Sequence, residues 1–203
     1  MKPGVLPAPL LWVVDRESIE NGALPRAVCA GARWLYLRDA SIEPDAWRRE
    51  LAELSASGGL AVVVNGAPGW ARDDGLGAHL KASQPPLGRG DRAAWPLLGR
   101  SVHDRKETGE ALADRPDYLI AGPLFPTASK PGHAGIGTHA LAEIVARARG
   151  TPVFAIGGIT PANLPNVLAV GVCGVAVRSG ITAATDPASA THDYLRALPG
   201  DPS

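Results

Sequence analysis

Between Asp117 and Ile181 the chain repeats one unit three times: a short apolar run, a glycine-rich or polar loop, then a helical pattern. The runs DYLIA, VFAI and VCGVAV are followed by GPLFPT, GGIT and RSG. Strands that alternate with crossover helices can pair only in parallel, which confines the chain to an α/β architecture. The same rhythm is legible upstream. Leu10–Val14, Trp34–Arg38, Leu60–Val64, Leu76–Leu80 and Pro96–Gly99 read as strands, followed by Asp117–Ala121, Val153–Ile156 and Val172–Val177. Helices are predicted over 17–30, 43–57, 103–113, 138–149, 161–170 and 187–198. Pro68–Asp74 is too short for more than a helical turn, and Lys81–Asp91, with Pro85, Pro86, Gly88 and Gly90, reads as loop. Eight strands without a linker predict a single (β/α)8 TIM barrel spanning residues 1–203. No GxGxxG follows the first strand, so an open nucleotide-binding sheet lacks its best support.

In such a barrel the loops after strands seven and eight form the usual phosphate site. Gly157 and Gly158 follow strand seven and lack side chains that would hold an anion off the backbone; Thr160-Pro161 then reads as a helix cap and first turn. Ser179 and Gly180 follow strand eight. Backbone amides at a helix start can satisfy an anion without net positive charge. That suits a chain with twenty basic and twenty acidic residues, whose neutral balance gives no field to draw it to nucleic acid or a membrane. Arg178 sits at a strand end where it faces either the ligand or a helix. No run of about 18 apolar residues occurs, and a cytoplasmic protein is expected. Cys29 and Cys173 fall in apolar patterns and are expected to be buried thiols.

The segments WLYLRDA (34–40), VVVNG (62–66), GAHL (77–80), LLGRSVHD (97–104), DYLIAGPLFPTASK (117–130), FAIGGITPAN (154–163) and GVAVRSGI (174–181) resemble the barrel family of thiamin phosphate synthase and the TenI-like thiazole tautomerases. The resemblance covers nearly the whole chain. In the synthase branch a pyrimidine diphosphate ionises and the thiazole phosphate nitrogen attacks the cation, releasing pyrophosphate with Mg²⁺ to balance the charge. The family's Q-x-R-x-K motif falls on Tyr36 to Ala40, keeping Arg38 but not the glutamine or lysine. Its N-D-R-x-D motif falls on Asn65 to Gly69, which puts Gly66 where the first metal carboxylate belongs; the second falls near Gln84. Asp73, Asp74 and Asp91 read as solvated loop charges. The resemblance assigns substrate binding to Arg38, Asn65, Ser101, Thr127, Ser129 and Lys130, and phosphate binding to Gly157, Gly158, Arg178 and Ser179.

A kept thiazole phosphate site beside a diphosphate site without metal ligands favours the tautomerase-like branch. There a carboxylated thiazole phosphate is isomerised by proton transfer alone, with no cofactor; Mg²⁺ enters only if the synthase alternative holds. That branch carries a histidine just after the strand-six glycine, and this chain has Pro123. The acid–base role is therefore expected of His79, at the end of strand four, or His133, in the loop past Lys130. His103 reads as a cap of the following helix, and His139 and His192 lie in helices remote from strand ends. The expected partner is a small-molecule thiazole phosphate, with no nucleic acid or membrane; a homo-oligomer is compatible with the sequence. The remaining alternative is a non-catalytic sensor of thiazole phosphate.

Overall fold

The computed structural model describes residues 6–39, 45–56, 59–87, 91–127 and 132–199. Eight parallel strands close into a barrel in strict chain order. They are β1 (Leu10–Val14), β2 (Trp34–Leu37), β3 (Ala61–Asn65), β4 (Gly77–Leu80), β5 (Leu98–Val102), β6 (Tyr118–Ala121), β7 (Val153–Ile156) and β8 (Gly174–Val177). The ring is shut where Leu10, Leu11 and Trp12 pair with Val175, Ala176 and Val177.

Alternation along each strand sorts its side chains between two cores. Leu11, Val13, Trp34, Tyr36, Val63, Tyr118, Ile120, Phe154 and Ala176 point inward and fill the barrel. Leu10, Trp12, Val14, Leu35 and Leu37 point outward and meet the helices. At the bottom, Trp34 stands edge-on to Tyr118 and Phe154, with ring centroids 4.7 and 5.1 Å away. Tyr36 and His79 form the next layer, their rings 4.5 Å apart. Gly99 makes this layer possible. A β-carbon there would lie 2.1 Å from the Tyr118 ring and 2.5 Å from His79 Nδ1, so only glycine admits both side chains.

The outer ring comprises α1 (Arg16–Glu20), α2 (Ala23–Cys29), α3 (Asp45–Ala56), α4 (Gly69–Asp73), α5 (Arg105–Ala111), α6 (Gly137–Arg147), α7 (Leu164–Leu168), α8 (Ser179–Thr182) and α9 (Pro187–Ala197). The single helix expected over 17–30 is two, because Gly22 adopts a left-handed conformation at the start of α2. The fifth strand runs two residues later than expected at its start and extends to Val102, since the sequence hides its middle behind a charge. Arg100 lies within it, only 5 % exposed, and its guanidinium pairs with Asp114.

Both cysteines are exposed, against expectation. Burial of α2 is carried by Ala23, Leu24 and Ala27, and Cys29, two residues past Ala27, turns away from that face. Cys173 precedes β8 in the turn beneath the barrel.

Candidate functional site

Above the aromatic layer, the C-terminal ends of the strands enclose a cavity of about 680 Å³. Val13, Tyr36, Ile120, Ile156 and Ala176 supply apolar floor and wall, while the rim is polar. Of the residues singled out in the sequence, Arg38, Asn65, Ser101, Thr127, Gly157, Gly158, Arg178 and Ser179 line this cavity. Ser129 and Lys130 lie outside the described residues.

The β7–β8 corner is built by neighbouring loops. After β6, a cis Gly122–Pro123 bond leads into a segment that hydrogen-bonds along the end of β7, through Leu124 N to Ile156 O (2.7 Å) and Phe125 N to Gly157 O (3.1 Å). Gly157 and Gly158 have φ of +102° and +67°, and a β-carbon on either would come within 2.7 Å of Pro123 or Phe125 respectively. Glycine is thus demanded here by the β6 loop as well as by the backbone conformation. Thr160 does not cap α7 as expected. It closes a turn with Asn163: Asn163 Oδ1 accepts from Thr160 N (2.9 Å), Thr160 Oγ1 accepts from Asn163 N (3.3 Å), and Asn163 Nδ2 donates to Gly158 O (3.0 Å). The turn fixes the GGI loop, and α7 begins only at Leu164. Across the corner, Ser179 opens α8, whose N-terminus has no side-chain cap. Its cap residue, Arg178, thus leaves the first amides of the helix to other partners.

Arg178 also turns toward a carboxylate. Its Nε donates to Asp15 Oδ2 at 2.6 Å, and Glu17 lies 3.7 Å from its Nη2. Burial pulls the Asp15 carboxyl upward, but hydrogen bonds from Arg178 and Ser18, with the arginine's charge, outweigh it and hold the group below its ordinary value. Arg178 is a wall of the corner whose charge is largely balanced.

The histidines separate sharply. His79 points into the barrel but is sealed beneath the cavity, 0 % exposed, with Nδ1 3.0 Å from the Tyr118 hydroxyl and Nε2 2.9 Å from Ser101 Oγ. Burial, helped by the nearby Arg100 charge, depresses its pKa to about 3. A neutral imidazole with both nitrogens engaged reaches the cavity only through Ser101. His133 is exposed in its loop, and its Nδ1 accepts from Gly135 N at 2.9 Å; it is not among the cavity-lining residues.

The imidazole that lines the cavity is His103, for which the sequence suggested a capping role. The helix cap is instead Asp104, which accepts from Glu107 N. Glu107 Oε2 accepts from both His103 Nδ1 (2.8 Å) and His103 N (2.7 Å). A carboxylate can only accept, so the proton of a neutral His103 sits on Nδ1 and the lone pair on Nε2. The cue available in the sequence was the i, i+4 spacing of His103 and Glu107 just past a strand end.

Mg²⁺ finds no suitable donor set where the resemblance would seat it. Gly66 has no side chain, and Gln84 is neutral and committed at both ends: Oε1 accepts from Lys81 N (2.7 Å) and Nε2 donates to Gly66 O (3.3 Å). The two positions that would carry metal carboxylates are joined directly to each other. Among the described residues no cluster of three or more His, Cys, Asp or Glu could hold a metal. Hard cations require several oxygen ligands, usually carboxylates.

The sequence profile described as thiamine monophosphate synthase matches residues 10–181. The chain belongs to that family. It is 38 % identical over 151 residues to a thiamine-phosphate synthase of Mycolicibacterium smegmatis, covering 73 % of this chain and 66 % of that protein. It is 33 % identical over 199 residues to a thiamine-phosphate synthase of Methanocella arvoryzae, covering 93 % of each. The chain thus spans about two thirds of the first relative's length and nearly all of the second's. Among solved structures, a thiamine phosphate pyrophosphorylase from Pyrococcus furiosus superposes with a TM-score of 0.75 at 27 % identity, covering 93 % of this chain and 95 % of that one. A 3-hexulose-6-phosphate synthase from Salmonella typhimurium, at 14 % identity and TM-score 0.72, shares the fold. This is a thiamine-biosynthesis barrel of the thiamine phosphate synthase family.

Proposed function

We propose that the chain binds a thiazole phosphate with its phosphate in the β7–β8 corner and joins it to a pyrimidine diphosphate, forming thiamin phosphate and releasing pyrophosphate. The reading is carried by one observation: a single cavity joins the Gly157–Gly158 and Ser179 loops to Arg38 and Lys81 at the ends of β2 and β4, two cations with no carboxylate partner among the described residues. It is wide enough for two small ligands, each with an anionic end. The names of the relatives favour the same reaction over isomerisation, and so does Pro123 in place of the imidazole expected of a tautomerase-like member.

Chemically, the methylene C–O bond of the pyrimidine breaks toward the diphosphate, and the ring-nitrogen lone pair of the thiazole closes on the resulting cation. The attacking nitrogen carries no hydrogen, so no general base is needed at the bond-forming step. The apolar floor of Val13, Ile120 and Ile156 suits two flat rings and limits capture of the cation by water. Arg38 and Lys81 would meet the departing charge. The test is product analysis with thiazole phosphate and pyrimidine diphosphate supplied together. Thiamin phosphate supports the transferase; its absence despite binding of both compounds removes it.

A second reading, metal-independent isomerisation of a carboxythiazole phosphate, is favoured by the His103–Glu107 pair, the one imidazole–carboxylate pair on the cavity wall among the described residues. In that reading His103 Nε2 would take the ring proton and return one at the far end of the shifting double-bond system, a role the sequence assigned to His79 or His133. Incubation with carboxythiazole phosphate alone separates the two.

A further inference from the structure

We infer that the diphosphate of the second ligand is held by Arg38 and Lys81 without a divalent metal, the Gln84–Gly66 hydrogen bond taking the place of the metal and its carboxylates. The inference rests on the transferase reading above and adds to it how the leaving group's charge is met.

Four observations carry it. Gln84 cannot turn toward a cation without giving up its bonds to Lys81 N and Gly66 O. The loop that carries it is clamped from behind: Arg100 donates to the Gln84 carbonyl and to Asp114, and Asp114 in turn accepts from Leu87 N at 2.9 Å. A buried ion pair gripping two points of one loop opposes the rebuilding that would bring other carboxylates inward. Two of the loop aspartates are turned to other partners, with Asp74 3.5 Å from Arg48 and Asp73 3.6 Å from Arg72. Finally, among the described residues the carboxylates that line the cavity, Glu107 and Glu110, both come from α5.

Arg38 and Lys81, by contrast, line the cavity on the β2 and β4 side, and neither is paired with a carboxylate among the described residues. Lys81 follows β4 directly, and its backbone is fixed by the same Gln84 that closes the metal position. An arginine fork can engage two diphosphate oxygens, and a lysine adds a compact positive charge. Together they supply two positive charges, the formal charge of one Mg²⁺, from the ends of β2 and β4.

The decisive experiment is calorimetry of the full chain with inorganic pyrophosphate, in EDTA and again in millimolar Mg²⁺, with thiazole phosphate present or absent. Pyrophosphate is expected to bind in EDTA, with affinity within about threefold of that in Mg²⁺, and to remain bound when thiazole phosphate is added. Lys81→Met and Arg38→Gln should each weaken pyrophosphate by about tenfold or more while leaving thiazole phosphate within about twofold. Binding that requires Mg²⁺, ignores both substitutions, is displaced by thiazole phosphate, or is absent altogether would overturn the inference. Product formation reads the transferase separately. Thiamin phosphate made only with Mg²⁺ keeps the transferase and discards the inference, whereas pyrophosphate held in EDTA with no product under any condition discards the transferase and keeps the anion site.

Discussion

His79 Nε2 lies 2.9 Å from the hydroxyl of Ser101, so a sealed imidazole supports a side chain that lines the cavity. Because the folded state holds His79 neutral down to about pH 3 and the unfolded chain protonates near 6.5, the unfolded state binds more protons throughout that window. The stability His79 contributes is therefore complete above about pH 6.5 and falls as the pH drops toward 3, by roughly 1.4 kcal/mol per unit. Urea unfolding at several pH values tests this against His79→Gln. The variant is expected to be less stable at neutral pH but to show a shallower acid slope, and parallel slopes would refute the assignment.

The clamp behind the β4–β5 loop should be expensive to break on one side. Asp114→Asn leaves the Arg100 charge buried and is expected to cost about 3 to 5 kcal/mol, whereas Arg100→Met with Asp114→Leu should recover much of that loss. Denaturant midpoints measure the cost, and proteolysis within residues 81–91 reads loop release. A loss below about 1 kcal/mol for Asp114→Asn would show the pair to be dispensable.

Gly158→Ala should act through the loop after β6. Its β-carbon would lie 2.7 Å from Phe125 Cβ and 2.8 Å from Pro126 O, and φ is +67°, so alanine must displace one loop or the other. A loss of about 2 kcal/mol is expected, with weakened binding of thiazole phosphate, measured by thermal unfolding and calorimetry. Full stability with lost binding would point to a direct clash with the anion instead.

His103→Gln separates the two reactions. If coupling is the activity, the variant should stay within a few-fold of the parent, because no proton moves at the attacking nitrogen. If isomerisation is the activity, turnover should drop by about 10²- to 10⁴-fold with thiazole phosphate binding retained. Single-turnover assays on each substrate set decide it.

The barrel was legible because β6, β7 and β8 are uninterrupted apolar runs with glycine-marked ends, and parallel strands buried on both faces write themselves that way. The fifth strand was harder. Arg100 looks like a loop charge until Asp114, fourteen residues on, is seen beside it, and such a partner leaves no periodic trace. Three quieter failures share a cause. Cys29, Thr160 and His103 were read from local context, yet their settings were fixed by the burial face of a helix, by the reach of Asn163, and by a carboxylate one helical turn away. Residues lining the cavity were found where a motif sits at a strand end. Which nitrogens and carboxylates are already spoken for lies beyond sequence, since it depends on contacts such as Gln84 with Gly66 and Arg178 with Asp15.

The edge-to-face packing of Trp34 on Tyr118 and Phe154 stoppers the barrel from below. What lies above is the cavity at the strand ends, and these rings close its foot. If two ligands stack in it, the one seated against the floor arrives first and departs last. Compulsory order would then be a property of the architecture, imposed by aromatic side chains that touch no substrate, and product inhibition would be competitive toward only one of the two reactants.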